Sequence, residues 1–205
     1  YLKITAMKRV FFIWTMAMVA LTLSAAQPLK IGESAPAFSL KGVDGKTVSL
    51  KDYNNEKGVI LIFTCNTCPY AVAYQDRIIA LHNQFAPKGY PVVAINPNDP
   101  GKSEGDSFEA MKVRAKEKSF PFPYLFDEQQ TVSPAYGASR TPEVFVLKRS
   151  DSGFVVAYTG TIDDNSGDAG AVKESYVANA VNALLADKSP EPATTRAVGC
   201  GIKLR

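Results

Sequence analysis

Histidine and tryptophan each occur once in these 205 residues, and cysteine three times. A single histidine, His82, excludes any site built on several imidazoles. It lies fourteen residues beyond Cys68 on a predicted helix. At 1.5 Å per residue that is about 21 Å along the axis, so it cannot join Cys68 around a metal. An excess of charge is missing too. The formal +3 comes from Lys3, Lys8 and Arg9, and beyond residue 26 the basic and acidic side chains balance at 20 each. No basic run or basic–aromatic alternation remains, so nucleic-acid binding has no support. There is no internal repeat, and beyond residue 26 no stable membrane span is expected.

The first 26 residues have the composition of a removable leader. Met7-Lys8-Arg9 gives a positive start, Val10 to Leu23 is almost wholly apolar, and Ser24-Ala25-Ala26 supplies small residues. This is the pattern of a secretory signal, with cleavage expected between Ala26 and Gln27. Tyr1 to Ala6 reads as an extension upstream of that start. The alternative is a membrane anchor, but the run is short for a span. The expected organisation is a leader over 1–26, one domain over 27–187 and a Pro- and Thr-rich surface tail over 188–205 carrying Cys200. Export implies a periplasmic or secreted protein, where a cysteine pair can be structural or can turn over.

Apolar periodicity gives the elements. Ala37 to Leu50 reads as two short strands around an Asp44-Gly45 turn. Val59 to Thr64 is a continuous apolar strand suited to the middle of a covered sheet. Pro69 suits the first turn of a helix, and Val72, Ile78, Ile79, Leu81 and Phe85 make an apolar stripe along it. Pro87-Lys88-Gly89 ends it. Pro91 to Ile95 is a second strand, Ser107 to Lys118 a charged helix and Phe120 to Pro123 a break. Tyr124 to Asp127 reads as a short strand and Gln129 to Tyr136 as a short helix. Val144 to Leu147 and Gly153 to Gly160 are further strands. Val172 to Leu185 is an amphipathic helix with Val177, Val181, Leu184 and Leu185 on one side. This order predicts an α/β sandwich with an N-terminal β-hairpin and a mixed central sheet.

The chemistry concentrates at Cys65-Asn66-Thr67-Cys68-Pro69, between the first long strand and its helix. A helix N-terminus offers free N–H groups and partial positive charge, which favour thiolate over thiol. Thiolate attack followed by resolution from a nearby second cysteine is disulfide exchange. Two other readings stay open. A structural disulfide across two residues would constrain the unfolded chain little. Metal ligation would need Cys200 with an acid or a methionine. Cys200, flanked by Gly199 and Gly201, is left over from the pair as a resolving thiol for Cys65 or Cys68, a thiol that pairs with a partner protein or a second copy, or an inert one. Asp163-Asp164, after the fourth main strand, can face the thiols, although a turn with solvated acids is the preferred reading.

These residues together resemble a known family. The CxxC and the Thr141-Pro142 before the third main strand resemble the thioredoxin fold, a three-layer α/β sandwich. The added hairpin Phe38-Ser39-Leu40…Val48-Ser49-Leu50 is similar to the AhpC/TSA-type redoxins, the branch holding peroxiredoxins and exported thioredoxins. Pro123 to Asp127, Tyr136-Gly137-Ala138, Thr141-Pro142-Glu143, Gly160 to Asn165 and the terminal Gly199 to Lys203 resemble a peroxiredoxin-like subgroup that carries CxxC.

The resemblance implies a thiol–disulfide oxidoreductase without metal or organic cofactor. Its partners would be a protein disulfide or dithiol and a redox partner that reduces it. It implies a cis Pro142 packed on the CxxC, with Thr64, Asn66, Thr67, Pro69, Thr141 and Pro142 lining the site. Thioredoxin logic makes Cys65 the exposed nucleophile and Cys68 the buried resolver. Peroxiredoxin logic makes Cys68 peroxidatic, in a P-x-x-x-T/S-x-x-C pattern that here meets Leu61 and Cys65 at its proline and hydroxyl positions. Arg140 then either stands near the site as the peroxidase arginine does or is a solvated loop residue. A metal chaperone or a non-catalytic binding module on the same fold is the remaining alternative.

Overall fold

Alternation along three apolar strands sets the layers. The computed structural model describes residues 28–205, so the leader and its cleavage point lie outside the described residues. The strands are β1 (Ser39–Gly42), β2 (Thr47–Ser49), β3 (Gly58–Phe63), β4 (Val92–Asn96), β5 (Tyr124–Phe126), β6 (Arg140–Thr141), β7 (Glu143–Ser150), β8 (Gly153–Gly160) and β9 (Cys200–Gly201). The helices are α1 (Pro69–Phe85), α2 (Phe108–Glu117), α3 (Val132–Tyr136) and α4 (Tyr176–Leu185). Seven strands form one sheet in the order β2-β1-β5-β4-β3-β7-β8, and β6 pairs separately with β9. Strand β4 runs parallel to β3 and β5, while β7 is antiparallel to β3 and β8. The sheet is mixed, as expected.

Residues of β3 and β7 alternate between two apolar layers, as the two-residue period of a strand requires. Ile60, Ile62, Val144 and Val146 face α1 and α4, meeting Tyr74, Ile78, Leu81, Val177, Val181 and Leu184. Val59, Leu61, Phe63, Phe145 and Leu147 face the other way, under Phe38, Leu50, Val132 and Tyr136. Both faces are covered, which is why β3 is apolar at every position and fully buried. The hairpin turn closes where Gly45 takes φ +85° and the Asp44 carboxylate accepts the Lys46 N–H at 3.0 Å, a local geometry that Asp-Gly supplies.

Three expectations are corrected. The buried face of α1 runs through Ala71, Tyr74, Gln75, Ile78, Leu81 and Phe85. Val72 is 38% exposed, because it lies about 120° around the helix from Ile78 at 3.6 residues per turn. Helix α4 begins at Tyr176, four residues later than the apolar pattern suggests. Asp163 is not a solvated turn acid and does not face the thiols. It is 5% exposed and accepts hydrogen bonds from Tyr74 Oη at 2.8 Å and Arg77 Nη1 at 2.7 Å. Arg77 also donates to the carbonyls of Asn165 and Ser166 and lies over the Tyr74 ring, locking α1 to the segment after β8.

The tail turns back along the molecule. Thr194 bridges to Thr159 of β8, the Thr195 hydroxyl pairs with Tyr158 Oη at 2.6 Å, and the chain then reaches β6. Among the described residues no helix is long and apolar enough to cross a membrane.

Arg77→Met would leave the buried Asp163 carboxylate without its cation. We expect a loss of about 3–5 kcal/mol, read as a lower urea midpoint at unchanged slope. A midpoint equal to wild type would show that the pair contributes nothing to stability.

Candidate active site

Strand β3 delivers the chain into the site. The Thr64 N–H continues the pairing by donating to Ile95 O at 2.8 Å, and the backbone then leaves the sheet through Cys65, Asn66 and Thr67. Cys68 is the N-cap of α1, and Pro69 occupies its first turn, where a missing N–H costs nothing. The helix therefore starts behind the second cysteine and not the first.

Thr141, fully buried, touches both thiols. Its hydroxyl lies 3.1 Å from Cys65 Sγ, and its carbonyl accepts the Cys68 thiol at 3.1 Å. The Thr141–Pro142 bond is cis. Behind Cys65 lies a small pocket walled by Gln75, Ile78, Phe120, Phe122 and Tyr124. The Phe120 and Phe122 rings stack at 4.9 Å, so the Phe-Pro-Phe-Pro-Tyr stretch packs beside the site.

The two cysteines are electrostatically unequal. Burial pushes the Cys65 thiol up, and the Asp106 carboxylate adds to the rise beyond what hydrogen bonds from Thr141 and the backbone return. Burial also opposes ionisation of Cys68. There it is outweighed by hydrogen bonds from the Cys200 thiol and from the N–H groups of Ala71, Cys200 and Tyr70, which hold Cys68 below the ordinary thiol value. Cys65 was expected to be the exposed cysteine and Cys68 the buried one, and the exposure of Cys65 is corrected: both are buried, at 2% and 4% exposed, and the helix N-terminus lies at Cys68.

Asn66 and Thr67 are both tied to Asp106. The Asn66 N–H donates to Asp106 Oδ1 at 2.6 Å, and the Thr67 hydroxyl to Asp106 Oδ2 at 2.7 Å. Asn66 also accepts from Tyr124 Oη at 3.0 Å and donates to Gly105 O at 2.9 Å. Asp106 has no solvent exposure and accepts further bonds from Ser103 Oγ at 2.6 Å and Asn98 Nδ2 at 2.8 Å. These donors overcome its burial and hold the carboxyl below its ordinary value.

Arg140 is half-buried, and its guanidinium donates to Gly199 O at 2.9 Å, next to Cys200 in the chain. Glu143, buried at the start of β7, accepts the N–H groups of Ser139 and Arg140 at 2.8 and 3.0 Å. Cys200 packs against Cys65, Cys68 and Ala71, and its N–H reaches Cys68 Sγ at 3.3 Å. All three cysteines are free thiols. His82 is remote from this chemistry: its Nδ1 accepts the Val92 N–H and its ring packs on Phe122. Among the described residues no group of three or more His, Cys, Asp or Glu is placed to hold a metal ion.

The sequence pattern of the AhpC/TSA family matches residues 31–164. The chain belongs to the AhpC/TSA family. Among solved structures, an uncharacterized conserved protein from Geobacillus kaustophilus superposes with a TM-score of 0.80 at 36% identity, over 86% of this chain and 93% of that one. The thiol-disulfide oxidoreductase ResA of Geobacillus thermodenitrificans is 28% identical over 123 residues, 58% of this chain and 64% of the relative's own length. The chain thus spans somewhat less than two thirds of that relative. The thioredoxin domain of a thiol-disulfide oxidoreductase from Bacteroides vulgatus matches at 20% identity with a TM-score of 0.52, over 62% of this chain and 87% of that one. That likeness concerns the fold alone, and the fold is thioredoxin-like.

Two carboxylates of this AhpC/TSA member, Asp106 and Glu143, escaped the sequence reading as parts of the site. Glu143 stood inside the Thr-Pro-Glu motif. Asp106 sits just before Ser107, the N-cap of α2, where an acid reads as ordinary capping chemistry.

Asp106→Ala would strand the donors of Asn66, Thr67 and Asn98. We expect a cost of roughly 2–5 kcal/mol at neutral pH. The folded pKa lies below the ordinary one, so the carboxylate's stabilisation is complete above the ordinary carboxylate range. It is lost as pH falls through that range and the folded value. Urea unfolding across acidic pH should therefore give a flatter profile in the variant. Parallel profiles would contradict this role.

Proposed function

We propose that this chain is an exported thiol–disulfide oxidoreductase in which Cys68 attacks and Cys65 resolves. The observation that carries this is the place of Cys68 at the N-cap of α1, at the positive end of the helix and with the Cys200 N–H 3.3 Å from its sulfur, whereas Cys65 Sγ meets the Thr141 hydroxyl with the Asp106 carboxylate nearby. The Cys68 thiolate attacks a substrate disulfide, forming a mixed disulfide and releasing one substrate sulfur as thiolate, which takes a proton. Cys65 then loses its proton and attacks Cys68 Sγ. The second substrate sulfur leaves and is protonated, and a Cys65–Cys68 disulfide remains. Two electrons have passed to the substrate, and a dithiol partner restores the pair. Run backwards, the same steps oxidise a dithiol. Thr64, Asn66, Thr67, Pro69, Thr141 and Pro142 act as the frame of the site, with Thr141 in direct contact with both sulfurs.

A protein disulfide with dithiothreitol as electron donor tests the proposal. Cys68→Ser should abolish reduction, and the double variant Cys65→Ser with Cys200→Ser, pre-reduced and freed of dithiothreitol, should accumulate the mixed disulfide at Cys68, seen by intact mass under non-reducing conditions. Full turnover in Cys68→Ser would overturn the assignment. One observation favours a second reading: a lone activated thiolate at a helix start also suits thiol-dependent peroxide reduction at Cys68. Hydrogen peroxide consumption that survives in Cys65→Ser, with no disulfide reduction in wild type, would replace the first reading by the second.

Export is part of the proposal and is supported by the leader composition. Intact mass of the protein from expressing cells should correspond to a chain beginning at Gln27. Retention of residues 7–26 in the soluble fraction would remove this part.

A further inference from the structure

The last residues lie where an incoming substrate would have to lie. Strand β9 pairs antiparallel with β6, placing Cys200 opposite Thr141 and Gly201 opposite Arg140. The Ile202 N–H donates to Ser139 O at 3.0 Å. The strand is held at both ends. Arg140 Nη1 donates to Gly199 O at 2.9 Å. The Lys203 N–H donates to Asn98 Oδ1 at 2.9 Å, while the Lys203 carbonyl accepts from the Asp99 N–H at 2.8 Å and from Gln130 Nε2 at 2.9 Å. Gly199 runs so close to the backbone of Thr141 that a β-carbon there would stand 2.3 Å from its carbonyl oxygen. Cys200 therefore arrives on an extended strand, paired to the residue that binds both sulfurs, with its N–H 3.3 Å from Cys68 Sγ.

We propose that residues 199–202 are a tethered substrate strand of this site, and that Cys200 is a third redox thiol that takes over the disulfide by exchange at Cys68. The proposal rests on the exchange chemistry assigned above to Cys65 and Cys68. Cys200 loses its proton and its sulfur attacks Cys68 Sγ of the Cys65–Cys68 disulfide. The Cys68–Cys200 bond forms, the Cys65–Cys68 bond breaks, and Cys65 leaves as a thiolate that takes the proton. No electrons are gained or lost, so no further oxidant is required. The charge state of the site suits this order. In the reduced site burial and the neighbouring Cys68 sulfur push Cys200 up to about 11, so it stays a thiol donating to Cys68. Once Cys68 is in a disulfide its negative charge is gone, and Cys200 becomes easier to ionise. An external disulfide must first displace the tail, and the tail carries the oxidised equivalent outward for the reducing partner.

Non-reducing peptide mapping of the full mature chain tests this after treatment with one equivalent of diamide. Cys65→Ser should yield monomer with a Cys68–Cys200 disulfide, and wild type a mixture of Cys65–Cys68 and Cys68–Cys200. Cys65→Ser in which Cys200 stays fully alkylatable while Cys68 is consumed in dimers would overturn the third-thiol proposal. Cys200→Ser reports separately on the underlying reading, because it should still form Cys65–Cys68, and its failure to do so would overturn that exchange chemistry. Gly199→Val should lift the strand. Iodoacetamide should then modify Cys200 faster by roughly three- to tenfold, because the neighbouring Cys68 sulfur no longer suppresses its ionisation. In the double variant with Cys65→Ser the Cys68–Cys200 yield should fall. Unchanged alkylation together with unchanged yield would overturn the docked-strand geometry.

Discussion

The Asp106 carboxylate accepts hydrogen bonds from the backbone of Asn66 and the side chains of Thr67, Ser103 and Asn98, and the positions of both cysteines follow from it. The spacer between the cysteines is two residues long, and both of its members are gripped by that one group. An unpaired buried carboxylate would be costly. With several donors around it the same group becomes a strong and directional anchor. Strand β3 fixes one end of the spacer and α1 the other, so Asp106 supplies the third point of attachment. Thr141 then approaches from β6 and sets the distance to each sulfur.

In the proposed exchange, the choice of attacking sulfur rests on where the helix begins. Desolvation acts against ionisation of both cysteines, and the difference lies in the donors each can reach. Cys68 sits at the positive N-terminus of α1 and receives the N–H of Cys200 at 3.3 Å. Cys65 meets one hydroxyl and a few backbone groups, with a carboxylate in the neighbourhood. A difference of one pKa unit is worth about 1.4 kcal/mol, comparable to a single charge-assisted hydrogen bond. Pro69 makes the helix start definite, since it can occupy the first turn but would break the helix interior.

The parts of the molecule legible in its sequence were those governed by local periodicity. Continuous apolar runs gave β3, β4 and β7, Asp44-Gly45 gave the hairpin, and Cys65 to Pro69 marked the strand-to-helix junction. The phase of α1 was misread because Tyr74 and Gln75 are amphipathic and carry no clear inward signal, while Val72 looks apolar and faces out. The long-range polar ties were not legible. Nothing local announces that Asp106 will bind a loop forty residues earlier, or that Arg77 will cross to Asp163. The pairing of β9 with β6 is harder still, because each strand is two residues long and has no periodicity to read. The family resemblance supplied the cysteines and Thr141 as partners. It also implied an exposed Cys65, and there the geometry of this chain differs.

Pairing between β6 and β9 is made by main-chain atoms, which are the same in every peptide. An edge of that kind cannot tell one sequence from another by hydrogen bonding alone. Selection must then fall on shape, and the narrowest point is the place of Gly199, where the backbone of Thr141 leaves no room for a β-carbon. Any extended chain entering in the same register would meet that wall one residue ahead of its reactive cysteine. The groove is in effect a gauge for side-chain bulk, permissive about chemistry and strict about size at a single position.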